Sequence, residues 1–438
     1  MPDFLICTGT YLHDQFRVKC FLKAAITNDT GLKRVVSLPF LVLYGLGTIL
    51  GAGIYILISK IAFHANIYTP LSFLVAGIVV AFTAFVYAEL SSRFPKSAGE
   101  AAYVSQAFNI PFITLVIGLL IAATGIVSSA TIVSGFTGYL NVFFDIDPVI
   151  AETMLVIILG FIAFWGISES VKIASLMTVI EIIGLLLVIF VSIDDVSFDL
   201  VKQTNVELTT IDLDLTMWAG IFAGAFLAFY AFIGFEDMVN IAEEVIEPEK
   251  NMPKGIIIVL LVSIIFYMMV AVVAVFGMPM DVLLASSAPF SDIVSTNSNV
   301  PIWIITLISL FAVVNGALIQ IIMASRLFYG MSKHKVLPAF LSDIHQTTRV
   351  PHKATVLVTA SILLLTLLFE LESLAKLTSY IVVVVFIIMN VTLIVVKVKE
   401  KSIPERSNKE KHSGFTVPLG IPVLGLVILV GFLMTQFI

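Results

Sequence analysis

GLGTILGAGIY, residues 45–55, sits in the middle of a charge-free apolar run from 38 to 59 and holds four glycines in eleven residues. Glycine weakens a helix by roughly 1 kcal/mol per residue relative to alanine, so this run is expected to break near its centre. An opened helix at membrane depth is tolerated only where it is buried in protein or lines a cavity. Residues 48–53 are therefore the first candidate for a binding site.

The rest of the chain has the composition such a reading needs. Hydrophobic residues make up 59% of its 438 residues and charged ones 12%, about half of the roughly 25% usual in soluble domains. This is a polytopic membrane protein, and a soluble reading is excluded. The net charge of −6 says little, because the placement of charge sets topology. Cys7 and Cys20 both fall in the N-terminal tail, which rules out a disulfide framework or a cysteine-rich metal site. Residues 1–34 lack the apolar core and small-residue cleavage site of a secretion signal and read as a tail.

Apolar runs of about 20 residues occur at 38–60, 70–92, 112–140, 149–167, 171–193, 216–243, 255–279, 301–328, 353–371, 374–397 and 415–438. With a cytoplasmic N-terminus, all of the 24 Lys and Arg residues except Lys60, Lys202 and Lys376 lie on the cytoplasmic side. The positive-inside rule selects that orientation and makes the chain a multi-pass protein of the cell membrane, its lipid bilayer one partner. An odd number of spans puts the C-terminus outside. The boundary between the ninth and tenth runs, marked only by Glu370, Glu372 and Lys376, is the weakest.

A second interrupted span follows five spans after the first. The sixth reads WAGIFAGAFLAFYAFIGFEDMVNIAEE over 218–244, and Ile233, Gly234, Phe235 and Glu236 break it near its middle. Broken helices in corresponding positions point to a transporter built from inverted repeats. The fold expected is all-α: five helices over 35–193, an extracellular connection at 194–215, five inverted helices over 216–397, a cytoplasmic loop at 398–414 and a last span at 415–438. The site then lies between the halves. Half-helix N-termini offer free N–H groups to an anion and freed carbonyls accept from a cation, a combination suited to a zwitterion such as an amino acid. Close helix packing is the competing account of Gly45, Gly47 and Gly51.

Four stretches, GLGTILGAGIY, YAELSSRFPKSAGEAAYV (87–104), YAFIGFEDMVNIAEEVIEPEKNMPKGI (230–256) and SRLFYGMSKHKVLPAFLSDIH (325–345), together resemble the amino acid-polyamine-organocation transporters, from about residue 30 to 400. The resemblance implies a leucine-transporter-like fold and a secondary amino acid permease working by alternating access. It implies that backbone N–H groups of Gly51, Ala52 and Gly53 hold the substrate carboxylate, and that carbonyls of Ile49, Tyr230 and Ile233 meet its amino group. By the same resemblance Tyr230 caps the substrate, Phe232 joins it in gating, and Glu236 matches an acidic position implicated in proton-dependent members.

Glu181 sits midway along span 5, where a charged side chain costs about 2.5–3.5 kcal/mol on insertion scales. It is expected to face the interior and to hold a proton or a cation. In several members of the family this position holds a lysine in the place of a second sodium ion, so that lysine-based scheme does not transfer. The coupling ion is expected to be a proton, with sodium the alternative, and no cofactor is expected. Two milder departures are Glu100, where a glycine is frequent, and Lys335, where a glycine is common before Leu337 and Pro338. The family usually has twelve spans, so the oligomer contacts of its members do not carry over.

Other polar residues read as structural. Arg326 is expected to snorkel or to pair with an acid such as Glu89 or Glu243, and Asn315 to face the cavity or to bond across helices. The acids from Glu243 to Glu249 with Lys250 and Lys254 read as a solvated loop, and the lysines from Lys397 to Lys411 as a topological signal rather than nucleic-acid binding. All six histidines fall in tails or connections, so no metal or catalytic cluster is visible. A membrane enzyme would need converging nucleophiles or acids, and a channel a continuous polar lining. Within transport, a polyamine or cationic amino acid exchanger is the alternative, favoured if Glu181 and Glu236 face the cavity as charges.

Overall fold

The structure, a computed structural model, describes residues 34–96, 99–165, 171–194, 196, 215–333, 337–346, 350–401 and 414–437, with the side chains of 171–174 left aside. The expectations for Cys7, Cys20, Lys202, Lys335, His13, His334 and His412 lie outside these residues.

Every apolar run expected to span is helical. The first is split into α1 (Leu38–Ile49) and α2 (Ala52–Ala65), followed by α3 (Thr69–Arg93), a short α4 (Gly99–Phe108), α5 (Pro111–Leu140), α6 (Pro148–Trp165) and α7 (Val171–Ser192). Span 6 is α8 (Leu215–Ala231) and then a 3-10 segment, Phe235–Glu244. There follow α9 (Pro248–Phe276), two short helices α10 (Met280–Ala285) and α11 (Pro289–Asn297), then α12 (Ile302–Lys333), α13 (His352–Leu368), α14 (Leu371–Lys401) and α15 (Gly420–Met434). Proline stands in the first turn of α1, α3, α5 and α9, where its missing N–H costs nothing because that group has no helical partner.

Boundaries differ from expectation in three places. The turn rich in acids is not all loop: helix begins at Pro248 and runs through Pro253, although Glu247, Glu249, Lys250 and Lys254 are exposed as expected. Helix α14 continues past 397 to Lys401, its lysines lying along its outer turns. The connection between spans 7 and 8 holds α10 and α11, whose few apolar positions gave no spanning signal.

The largest helix pairings join α3 to α9, α5 to α12 and α2 to α8, each a span packed on its counterpart five spans later. That is the pattern of two inverted five-span repeats interlocked face to face. Small residues permit it: Gly125 of α5 lies against Met323 and Ala324 of α12, and Gly224 of α8 against Ala65 of α2. Outward-facing Phe112, Ile157, Phe190, Leu307 and Val427 are exposed, as a lipid-facing surface requires. Just ahead of α1, Val35 and Val36 donate to the Glu244 carbonyl and Ile246 donates back to Val36, which ties the entry of span 1 to the end of span 6.

One end of the bundle is closed by a buried ion cluster. The Glu89 carboxylate, fully buried, accepts from Arg93 Nε at 2.7 Å, from Lys397 Nζ at 2.7 Å and from the Val417 N–H at 2.7 Å. Arg93 also reaches Glu400, and Lys397 donates to the Val417 carbonyl. Glu89 thereby joins α3 to α14 and to the segment leading into α15. Arg326 is exposed and does not pair with Glu89, because the nearer Arg93 and Lys397 have already taken that carboxylate. Removing one partner from a buried cluster leaves uncompensated charge, a loss of about 3–5 kcal/mol. Glu89→Ala should accordingly lower the unfolding temperature in detergent sharply, while Glu247→Ala, which frees only an exposed pair with Lys250, should leave it nearly unchanged.

Candidate functional site

Between α1 and α2 the chain leaves helical geometry at Leu50 and Gly51 and re-enters at Ala52, with Gly51 in the capping position. The first N–H groups of a helix have no partner in their own chain, so those at the start of α2 face the gap. In span 6 the helix stops at Ala231, and Gly234 adopts φ +131°, a conformation open to glycine and strained for any other residue.

The two breaks press on each other. A Cβ added to Gly234 would lie 2.4 Å from the Thr48 carbonyl oxygen, and one added to Gly53 would lie 2.8 Å from Ala231 Cα. Tyr267, on α9, fixes this contact by donating its single hydroxyl proton either to the Ile49 carbonyl (2.5 Å) or to the Ala231 carbonyl (2.7 Å). One proton cannot serve both, so one of the two carbonyls keeps an open lone pair at any moment. Gly45 fits the packing account, since it abuts Met238; Gly47 abuts Thr178 and, like Gly51, also lines the opening.

A small cavity, about 40 Å³, lies between the breaks, room for roughly three waters. Ile49, Gly51, Ala52, Gly53, Tyr230 and Ile233, all expected at the site, line it. The Tyr230 hydroxyl is bonded to Ser128, at 3.0 Å from its Oγ and 3.2 Å from its carbonyl, and the Tyr230 carbonyl accepts from the Ile233 N–H. Phe232 is elsewhere: fully buried, its ring packs on Tyr267 with centroids 4.9 Å apart, because the turn after Ala231 rotates it away from the opening.

Neither deep acid reaches the cavity lining. Glu236 Oε2 accepts from the Gly234 N–H at 2.9 Å, closing the break it follows. Glu181 is fully buried between α7, α2 and α12: its carbonyl accepts from Tyr55, and Oε1 lies 3.5 Å from Asn315 Nδ2. Asn315 therefore bonds across helices. Among the described residues no group of His, Cys, Asp and Glu could hold a metal.

Sequence reading missed Tyr267, Ser128, Ile132, Gly316, Ile319 and Gln320. Tyr267 left a trace, a hydroxyl-bearing ring deep in the aliphatic run of span 7, where a polar group must find a partner. The others are small, apolar or amide residues without periodic signature.

Below span 6, Glu100 on α4 is buried and accepts from the Tyr87 hydroxyl at 3.0 Å. Burial pushes its carboxyl up to about 7, Asp237 adds to that, and hydrogen bonds from its own backbone and Tyr87 pull back. The folded chain thus holds this proton to higher pH than the unfolded chain does. The contribution is complete below about pH 4.5 and is lost as pH rises through 7. Glu100→Gln should flatten the fall in unfolding temperature between pH 5 and 8.

With this geometry in place, the comparisons decide the family. A model for the family Amino acid permease matches residues 35–438. The chain belongs to that family. Among its relatives, Cationic amino acid transporter 2, vacuolar, of Arabidopsis thaliana is 29% identical over 84% of this chain and 60% of that protein. The chain thus spans about three fifths of that relative's length. The branched-chain amino acid permease BcaP of Bacillus subtilis (strain 168) is 28% identical over 93% of this chain and 89% of its own, and the methylthioribose transporter of the same organism is 24% identical over 92% and 88%. This family member is a multi-pass membrane protein and not an enzyme.

The Tyr267 hydroxyl is within bonding distance of both breaks, so its loss should loosen them together. Tyr267→Phe should destabilise by about 1–3 kcal/mol through the unsatisfied buried carbonyl, read as a lower unfolding temperature in detergent.

Proposed function

We propose that the protein is a secondary active transporter that moves amino acids across the cell membrane by alternating access, N-terminus in the cytoplasm, coupled to protons through Glu181. The observation that carries this reading is the pair of facing breaks with one cavity between them. The start of α2 offers N–H groups and a positive dipole end to a carboxylate. The Ile49 and Ala231 carbonyls, one always free of the Tyr267 proton, accept from an α-ammonium group. Tyr230 is positioned to close over the bound molecule and is released from Ser128 to do so. The names of the relatives, amino acid permease and cationic amino acid transporter, support the substrate class.

Glu181 is suited to a proton more than to sodium. A hard cation needs several oxygen acceptors around it, whereas Asn315 presents an amide donor to Oε1 and the Tyr55 hydroxyl occupies the Glu181 carbonyl. A neutral acid fits such surroundings, and an ionised one gains from them only in part. Glu181 also touches α2 through Tyr55, so a shift of α2 on substrate binding changes its surroundings.

The test is uptake of labelled amino acids into proteoliposomes under separately imposed proton and sodium gradients. An inward proton gradient should drive accumulation, and Glu181→Gln should lose at least tenfold of that while retaining exchange of internal for external substrate. Sodium-driven uptake, or an unchanged proton dependence in the variant, would remove Glu181 from the proton role.

A further inference from the structure

We propose that the transported amino acid carries an uncharged aliphatic side chain of modest size, seated against α5 and α12. The proposal rests on the cavity being the substrate site and adds which class of amino acid it takes. With the breaks holding the α-carboxylate and α-ammonium groups, the remaining wall is Ser128 and Ile132 of α5 and Gly316, Ile319 and Gln320 of α12.

Among the described residues, no acidic or basic side chain lines this cavity. A lysine or arginine side chain, or the second ammonium group of a polyamine, would lose its hydration there without a counter-charge, which is strongly unfavourable. The three nearby carboxylates are turned to other partners: Glu236 to the Gly234 N–H, Glu181 to Asn315, and Asp237 to the Gln320 amide.

The polar groups of the wall are also occupied or buried. Ser128 is bonded to Tyr230, and Thr48 Oγ1 donates to the Gly45 carbonyl. Gln320 Oε1 is itself buried, close to Gly125 of α5, with no hydrogen-bond partner among the described residues. What faces a substrate side chain is therefore the hydrocarbon of Ile132 and Ile319 and the space above Gly316.

Gly316 sets the size. A methyl group at this position would lie 3.4 Å from Ile132 Cδ1 and 3.6 Å from Ala52 Cβ, ordinary contact distances, so alanine fits without moving its neighbours. It would take up room that the substrate side chain uses.

Proteoliposomes loaded with unlabelled alanine would be tested for exchange against labelled leucine, valine, alanine, lysine, arginine and putrescine. In the wild type, leucine, valine or alanine should enter, and lysine, arginine and putrescine at hundredfold excess should not compete. Gly316→Ala should lower the ratio of leucine to alanine uptake at least tenfold. Competition by lysine or putrescine, or loss of leucine and alanine uptake in equal proportion in Gly316→Ala, would overturn the proposal while leaving amino acid transport standing. Entry of none of these compounds would remove the transport reading with it.

Discussion

The structure depends on two broken helices held in contact where neither has side chains to keep them apart. Gly53 against Ala231 and Gly234 against Thr48 bring two stretches of unpaired backbone within reach of one small molecule. Unpaired backbone is expensive in a lipid-embedded protein, and the expense is limited here by local closures. Glu236 takes the Gly234 N–H, Tyr230 takes the Ile233 N–H, and Tyr267 divides one proton between two carbonyls. The N–H groups opening α2 and one carbonyl lone pair are left over, and on the proposed function these direct recognition at the groups common to all amino acids.

Charge is sorted by position in a consistent way. At one end of the bundle Glu89, Arg93, Lys397 and Glu400 form a cluster that joins two helices, α3 and α14, and at the other His64, Glu372 and Lys376 join α2 to α14. Between them the cavity is lined by neutral groups, with Glu181, Glu236 and Asp237 set behind it. Acids in that second layer can respond to movement of the helices without binding the cargo directly. An exchanger of polycations would need them in the lining, and the turn at residues 232–234 carries Glu236 and Asp237 away from it, while Glu181 stands on α7 outside it.

Much of this was legible in the sequence because the bilayer restricts the options. Long apolar runs can only be helices, so the spans followed from composition, and the glycines of 45–53 and Gly234 marked the breaks through their conformational cost. Six expected site residues line the cavity for the same reason: they belong to the breaks themselves. Phe232 stands outside the lining because a turn rather than a helix follows Ala231, and its direction depends on φ and ψ values that a motif does not carry. For Arg326 the sequence left snorkelling and pairing with Glu89 or Glu243 open, because sequence separation does not reveal that Lys397, 308 positions from Glu89 and on the other repeat, takes that carboxylate. The wall formed by Ile132, Gly316 and Ile319 was silent, since an apolar residue facing a cavity has the same pattern as one facing a helix.

The path from cavity to Glu181 runs through one helix. Tyr55 lies on the first turn of α2, whose N-terminal N–H groups face the cavity; its hydroxyl donates to the Glu181 carbonyl and its own carbonyl accepts from Tyr139. Any rotation of α2 that follows closure of the breaks around a substrate must stretch one of these bonds or carry α7 along. Before the break, at Gly47, α1 sits so close to Thr178 that an added Cβ would fall 2.1 Å from its hydroxyl, so α1 packs tightly on α7. Both half-helices of span 1 are closely packed, α1 on α7 at Gly47 and α2 on α8 at Gly53, and α2 also carries the hydrogen bond from Tyr55 to the Glu181 carbonyl. On the proposed mechanism, that bond is what links closure of the breaks to the protonatable group.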